Sequence, residues 1–291
     1  MEPENVLEKA LCERPSMPLY HYTTAQGLIG IFNEGLWASS AYHLNDSKEF
    51  GYAIDLVRDT LQNNLRHEKG PNNEAYGKIL EYFETIKNSY QVFIASLSEE
   101  DDLLSQWQSY CSGLDGYAIG FKRAHFRPAL SNGFSFIRCR YTPEEQTDIV
   151  HGVISLLTKM LVNGEDDQRQ LSMVFTGLAS IKHPGFRSEK EWRLVKAIAT
   201  AFVDQSEEVN FRQGRGGIVP FLVAKLYQSR VAKLFQSRRV GFRPVSITIG
   251  PNTDPQAAKS ALEMFLAKKE LFGFLNSNLV KIKVSETPLR P

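Results

Sequence analysis

The stretch "RSEKEWRLV", residues 187–195, sets two carboxylates two positions apart, with an arginine two positions further on. Read as a strand, it turns Glu189, Glu191 and Arg193 to one face and Lys190, Trp192 and Leu194 to the other. Residues on one face of a strand lie roughly 6.5 to 7 Å apart. Two carboxylates at that spacing raise each other's proton affinity unless a cation offsets them, and Arg193 is such a cation. The stretch therefore reads either as an acid–base pair or as a structural ion pair at a sheet edge.

A second candidate is "LYHYTT", residues 19–24. Alternation puts Leu19, His21 and Thr23 on one face of a short strand and Tyr20 and Tyr22 on the other. His21 and Thr23 are hydrogen-bonding groups beside a helix start, a suitable place to hold a ribose or an amide. A core histidine satisfied by backbone is the competing reading. In "HLNDSKE", residues 43–49, Asn45 or Asp46 can cap the next helix, and Glu49 completes a near capping box. His43, Asp46 and Glu49 are metal-ligand types at a spacing that matches no standard pattern. In "SLSEEDDLLSQWQSYCSG", Ser96 and Ser98 end a buried strand, while Trp107 and Tyr110 read as core residues facing it. There is no GxGxxG, P-loop, HExxH or GxSxG pattern, and "GRGG" at 214–217 is weak evidence for a phosphate cradle.

The elements that position these residues follow from periodicity. Residues 19–23 read as a strand and "TAQGLIGIFNEG" as a helix, with Thr24 as cap and Gly35 as stop. Residues 47–65 read as a helix with Phe50, Ile54, Val57 and Leu61 on one stripe. "RHEKGPNNEAYG" reads as a surface loop before a further helix through "KILEYFETIKNSY". "QVFIASLS" is the clearest buried strand, and Ser98 with "EEDD" reads as the start of a helix over 101–111. "GYAIGF", "FSFIRCRY", "KEWRLV", "PVSITIGPN" and "LVKIKVSET" supply more strands. Residues 143–182 are mostly helical, and "DPQAAKSALEMFLAKK" is a late helix. Without a regular βαβ rhythm, the pattern predicts an α+β fold with a mainly antiparallel or split sheet. No linker divides the chain, so residues 1–291 read as one domain with a helical insertion at about 143–182.

Bulk properties narrow the class. Of 291 residues, 42% are hydrophobic, enough for a substantial core. With 34 basic and 33 acidic residues, the net charge of +1 gives no general pull toward nucleic acid or anionic lipid. The bases clustered from Lys225 to Arg243 read as a solvated face or a local phosphate contact. They overlap the tandem repeat "VAKLYQSR"/"VAKLFQSR" at 223–238, which is too short for a solenoid unit. Three scattered cysteines, the absence of a signal-like stretch and the lack of a membrane-length apolar run predict a cytoplasmic protein without a zinc site or disulfide scaffold.

The order of "LYHYTT…GLWAS…LND…E", "FIASLSEEDDLLSQWQSYCSGLDGYAIGF", "SEKEWRL", "IGPN" and "SETPLR" resembles a large bacterial family of unknown function. Its first strand and helix, "LYHYTTAQGLIGIFNEGLW", also resemble the ADP-ribosyltransferase superfamily, in particular its DarT-like toxins. That second resemblance implies an NAD-consuming transferase or NAD glycohydrolase of toxin or phage-defence type. By it His21 and Thr23 grip NAD, Ser96 and Ser98 match the middle motif, and Glu189 and Glu191 match a catalytic Glu-x-Glu. Tyr22 is a candidate to stack on nicotinamide, although alternation sets it opposite His21, and Arg193 joins the nucleotide-facing set. NAD would be substrate, with a protein or nucleic-acid acceptor, and the resemblance leaves room for an antitoxin or defence-system partner. Two other readings stand beside it. One is a metal-dependent nuclease using Asp46, Glu49, Glu189 and Glu191, which would want a lysine close behind the acidic pair. The other is a non-catalytic nucleotide-sensing module in which Arg193 neutralises the glutamates.

Overall fold

The computed structural model describes residues 3–43, 48–111, 116–164, 167–203, 206, 208–214, 217–226, 242–252, 254–269, 271 and 280–288. Asn45, Asp46, the centre of "GRGG" and most of the tandem repeat lie outside them. In chain order the elements are α1 (Pro3–Cys12), β1 (Leu19–Thr24), α2 (Ala25–Asn33), β2 (Leu36–Ser40), α3 (Lys48–His67), α4 (Pro71–Ile86), β3 (Tyr90–Ser98), α5 (Leu104–Tyr110) and β4 (Gly116–Phe121). Then come α6 (Arg127–Ser131), β5 (Ser135–Arg138), α7 (Pro143–Asn163), α8 (Gln168–Leu178), β6 (Glu191–Ala199), β7 (Val209–Gly214), β8 (Gly217–Ala224), β9 (Ser246–Ile249), α9 (Pro255–Lys268) and β10 (Lys281–Val284).

Among the described residues all the strands join one sheet, whose main path runs β10-β9-β4-β1-β3-β2-β8-β7. Among these strands β9 and β10 pair in parallel and the other pairs are antiparallel. The fold is α+β, with a mainly antiparallel sheet and flanking helices. Strand β3 is where the sheet divides. One edge of β3 pairs along its whole length with β6, from Tyr90↔Ala199 to Ser98↔Glu191. Its other edge is shared: β1 takes it at Tyr20↔Ser98, and β2 takes it at Ser39↔Ile94 and Ser40↔Phe93.

Local chemistry explains the ends that frame this region. Thr24 caps α2, accepting the Gly27 N–H at 3.3 Å. Gly27 itself must lack a side chain, because a Cβ there would lie 1.9 Å from Thr23 Oγ1. Gly35, at φ +130°, ends the helix where a Cβ would meet the Ala224 carbonyl oxygen at 2.7 Å. Thr142 and Glu145 form a capping box at the start of α7, Pro143 takes the first helical position, and Gly164 closes the helix in the left-handed conformation.

Two boundaries differ from expectation for identifiable reasons. The polar "PNNEAYG" is the first part of α4 rather than loop, because Pro71 at the first turn lacks only an N–H that the turn would leave unpaired anyway. The acidic "EEDD" precedes α5 instead of opening it; α5 starts at Leu104, capped by Leu103 without a side-chain bond. Ser98 Oγ accepts the Glu100 N–H at 3.1 Å, and this local turn diverts the chain before a helix can start.

The sheet is covered on both faces. Against one lie α1, α3, α4, α7 and α8, whose buried Val57, Leu61, Phe83, Val153, Leu157 and Phe175 form one cluster with Val92, Ile94 and Val195 of the sheet. The helices over 143–182 are thus integral to this cluster. Against the other face lie α2, α6 and α9, packed on Leu19, Leu97, Ile119, Trp192 and Leu194. No helix among the described residues is long and apolar enough to cross a membrane.

Candidate functional site

Cross-strand partners point to the same face, so the register divides the candidate residues. Ser98 pairs with both Tyr20 and Glu191, and Ser96 pairs with Arg193. Tyr20, Tyr22, Ser96, Ser98, Glu191 and Arg193 therefore share one face of the sheet, which α8 covers over β6 and α5 covers over β1. His21 pairs with Ile119 of β4 and leaves from the other face, with Leu19 and Thr23. The expected meeting of His21 and Glu191 in one cleft does not occur.

His21 has a structural partner instead. Between the stretches of β3 taken by β1 and by β2, the Ser96 carbonyl lies beside the His21 ring, and Nδ1 stands 2.9 Å from it. The imidazole thus satisfies a half-buried backbone acceptor where the sheet divides. Burial lowers its proton affinity more than the Ser96 bond raises it, so the ring is held neutral. Thr23 offers its carbonyl to Cys111 Sγ at 3.3 Å. Tyr22 packs edge-on against Trp107, with centroids 4.6 Å apart, and its hydroxyl ties Glu100 to Leu103.

On the opposite face, β6 delivers its carboxylates into a buried charge cluster. Lys182, Glu191 and Arg193 are each 2% exposed and Glu189 6%. Lys182 Nζ donates to Glu189 at 2.6 Å, pairs with Glu49 of α3 at 3.1 Å and contacts Glu191 still more closely. Arg193 donates through Nε to Glu191 at 2.7 Å, through one Nη to Glu49 at 2.5 Å and through the other to the Ala179 carbonyl at 2.8 Å. Tyr141 OH accepts the Glu191 N–H at 2.9 Å, and Ser98 Oγ donates to the Glu189 carbonyl at 2.7 Å. Lys190, between the glutamates, has φ +43°. Glu189 thus ends a 3-10 turn, and it is this left-handed step, not strand alternation, that sends both carboxylates to Lys182.

Three carboxylates face two cations, and the proton affinities divide accordingly. Burial pushes the Glu191 carboxyl up, but Arg193 and Lys182 together outweigh it and hold it at about 2. Glu189 moves the other way. Its burial outweighs the pull of Lys182, and Glu191 and Glu49 add repulsion. Burial works to discharge Lys182, yet Glu191 and Glu49 hold it charged. Burial also keeps the nearby Tyr110 hydroxyl protonated, and repulsion from Glu191 adds to this.

Lys182 and Glu49 are the members that the sequence reading missed or misplaced. Lys182 follows the apolar "LASI" and precedes two glutamates, a cation where burial is due, which was the available signal. Glu49, in the first turn of α3, gives its carboxylate to Lys182 and Arg193, while the capping box expected with Asn45 or Asp46 lies outside the described residues. The acids of "EEDD" have other partners. Asp102 accepts from the Trp107 indole at 2.7 Å and the Thr287 hydroxyl at 2.9 Å, and Asp101 pairs with Lys283 of β10. Among the described residues no group of three or more His, Cys, Asp or Glu is arranged to hold a metal ion. The point shared by Glu49, Glu189 and Glu191 is filled by the Lys182 ammonium.

Above this cluster, at the start of β6, opens a cleft of about 400 Å³ lined by Glu99, Arg138, Tyr141, Arg187, Ser188 and Lys190. Tyr141 belongs to both places, since it lines the cleft and holds the Glu191 amide. No curated protein and no solved structure matches the chain. Residues 106–194, the segment from α5 into β6 that carries Lys182, Glu189, Glu191 and Arg193, match the model of a family described as "Protein of unknown function (DUF2971)".

Proposed function

We propose that the chain is an NAD-consuming enzyme of ADP-ribosyltransferase or NAD-glycohydrolase type, with the Glu189–Glu191 pair as its reaction centre. One observation carries this reading: two carboxylates share one buried ammonium, and their proton affinities are shifted in opposite directions. Paired carboxyls whose environments separate their proton affinities divide acid–base roles between them. Cleaving the nicotinamide–ribose bond builds positive charge on the ribose, and a Glu191 held ionised at neutral pH in a water-poor setting stabilises such charge. Lys182 and Arg193 each occupy one oxygen of Glu191, which leaves a further lone pair on each oxygen for a ribose hydroxyl. Glu189, with its raised proton affinity, is suited to take the acceptor's proton. Tyr22 and Ser96 lie on the same face, whereas His21 does not, so the ribose grip assigned to His21 by resemblance has no place in this scheme.

A second reading has its own observation. The double engagement of Glu191 by Lys182 and Arg193 is the neutralised glutamate expected of a non-catalytic nucleotide-sensing module. Incubating the purified chain with NAD and following nicotinamide release separates the two. Release that is lost in Glu191→Gln supports the enzyme. Saturable NAD binding without release assigns the sensing module, and neither binding nor release removes both.

A further inference from the structure

We propose that the cleft at the start of β6 is an anion site for a small molecule bearing a phosphate or diphosphate group. Its rim carries three cations, Arg138, Arg187 and Lys190, against one carboxylate, Glu99. Glu99 is turned toward β6, where its Oε1 accepts the Trp192 indole N–H at 2.9 Å. Lys190 is paired with Glu100, and Arg138 with Glu145 and, at 3.5 Å, Glu13, all at partly exposed positions where such pairs exchange readily. Arg187 is exposed and has no ion-pair partner among the described residues. A buried donor faces the same space: Tyr141 is 6% exposed and its oxygen accepts the Glu191 N–H, so its hydroxyl hydrogen remains to be donated. Among the described residues that hydrogen has no acceptor. The Ser188 hydroxyl adds a third donor type. A planar guanidinium, an ammonium and two hydroxyls around one opening match the several acceptor oxygens and multiple charge of a phosphoryl group.

The cleft is also built by backbone that resists relaxation. Lys190, at φ +43°, is the sole non-glycine residue with positive φ among the described residues. That step places Lys190 on the rim while Glu189 and Glu191 turn inward to Lys182. Non-glycine residues held in this region cluster at ligand sites, where surrounding structure fixes them. A volume of about 400 Å³ is in the range of small-molecule sites rather than macromolecular grooves. The proposal does not depend on NAD turnover, because none of its donors is Glu189 or Glu191.

The test is calorimetry of the full chain with inorganic pyrophosphate at low ionic strength. One site per chain is expected, with affinity that weakens as salt rises. Arg187→Ala is expected to weaken binding at least tenfold and Tyr141→Phe several-fold, while Lys268→Ala, a surface cation on α9, leaves it unchanged. Arg187 is exposed, so its variant should melt at the wild-type temperature. No pyrophosphate binding, binding indifferent to Arg187→Ala, or an equal loss in Lys268→Ala would each overturn the site. Pyrophosphate binding without nicotinamide release from NAD keeps this site and removes the enzymatic reading; release with no pyrophosphate binding does the reverse.

Discussion

His21 and Glu191 leave one sheet in opposite directions. Strand β3 connects them: Ser98 pairs with Tyr20 on one side and with Glu191 on the other, so the neighbour of Tyr20 must face away. The consequence is chemical. The imidazole satisfies the Ser96 carbonyl at the division of the sheet, while the carboxylate enters a charge cluster beneath the helices.

His21→Asn should therefore lower stability while leaving NAD handling per folded molecule unchanged. Asn retains an amide donor but loses ring packing at a half-buried position. A lowered proton affinity means that the folded state prefers the neutral ring. That contribution is present above the ordinary value of 6.5 and is lost as pH falls below it through the folded-state value. Ring titration followed by NMR should show a midpoint below 6.5. A roughly hundredfold loss of NAD turnover in a well-folded His21→Asn chain would return His21 to the reaction centre.

Leu157→Ala probes whether the helices over 143–182 are dispensable. Leu157 of α7 is fully buried, in one cluster with Phe83, Val92 and Phe175. The truncation should cost about 2–5 kcal/mol, read from chemical denaturation. A cost below about 1 kcal/mol would mark those helices as an appendage whose interior relaxes independently.

Much of the scaffold was legible because it depends on local pattern. "QVFIASLS", "GYAIGF" and the stripe of Phe50, Val57 and Leu61 announce their burial by type and period. Thr24 and Gly35 announce the ends of α2. The site was legible only in part, since its geometry depends on register between distant strands. Alternation set the faces within β1 and within β6, but which face of one meets which face of the other is decided by Ser98. Lys182 was missed for a related reason: its partners come from two distant segments, Glu49 in α3 and Glu189 with Glu191 at the start of β6, and their convergence on it depends on tertiary packing. The left-handed step at Lys190 was likewise invisible, because no glycine or asparagine marks it.

Acid stability should track the cluster. Glu191 has its folded-state value near 2, below the ordinary 4.5, so its stabilising contribution is present above 4.5 and lost as pH falls toward 2. Melting temperatures measured from pH 5 down to pH 2 should fall steeply in the wild type. Part of that slope should vanish in Glu191→Gln, which has no proton to take up. Equal slopes in both proteins would mean that Glu191 is not held ionised by Lys182 and Arg193.

The sharpest comparison is Glu191→Gln with Glu189→Gln, made at neutral pH. Were Glu191 in an exposed ion pair at a sheet edge, Glu191→Gln would barely affect folding, since a surface pair is worth about 0 to 1 kcal/mol. Glu191 is instead 2% exposed and bonded to both cations, and removing one partner of a buried ion pair costs about 3–5 kcal/mol. Glu189 has the opposite sign. Its proton affinity is raised, so its contribution is present below the ordinary 4.5 and lost as pH climbs through its folded-state value. A neutral Gln at 189 removes the repulsion from Glu191 and Glu49, so Glu189→Gln should cost far less than Glu191→Gln and can even stabilise. If the pair also cleaves NAD, both variants should lose turnover, Glu191→Gln by roughly a hundredfold or more, although only one loses much stability. Denaturation and nicotinamide release measured on the same preparations would show it. Equal destabilisation by the two variants would mean that the cluster does not shift their proton affinities in opposite directions, and with that the chemical argument for the pair would fail.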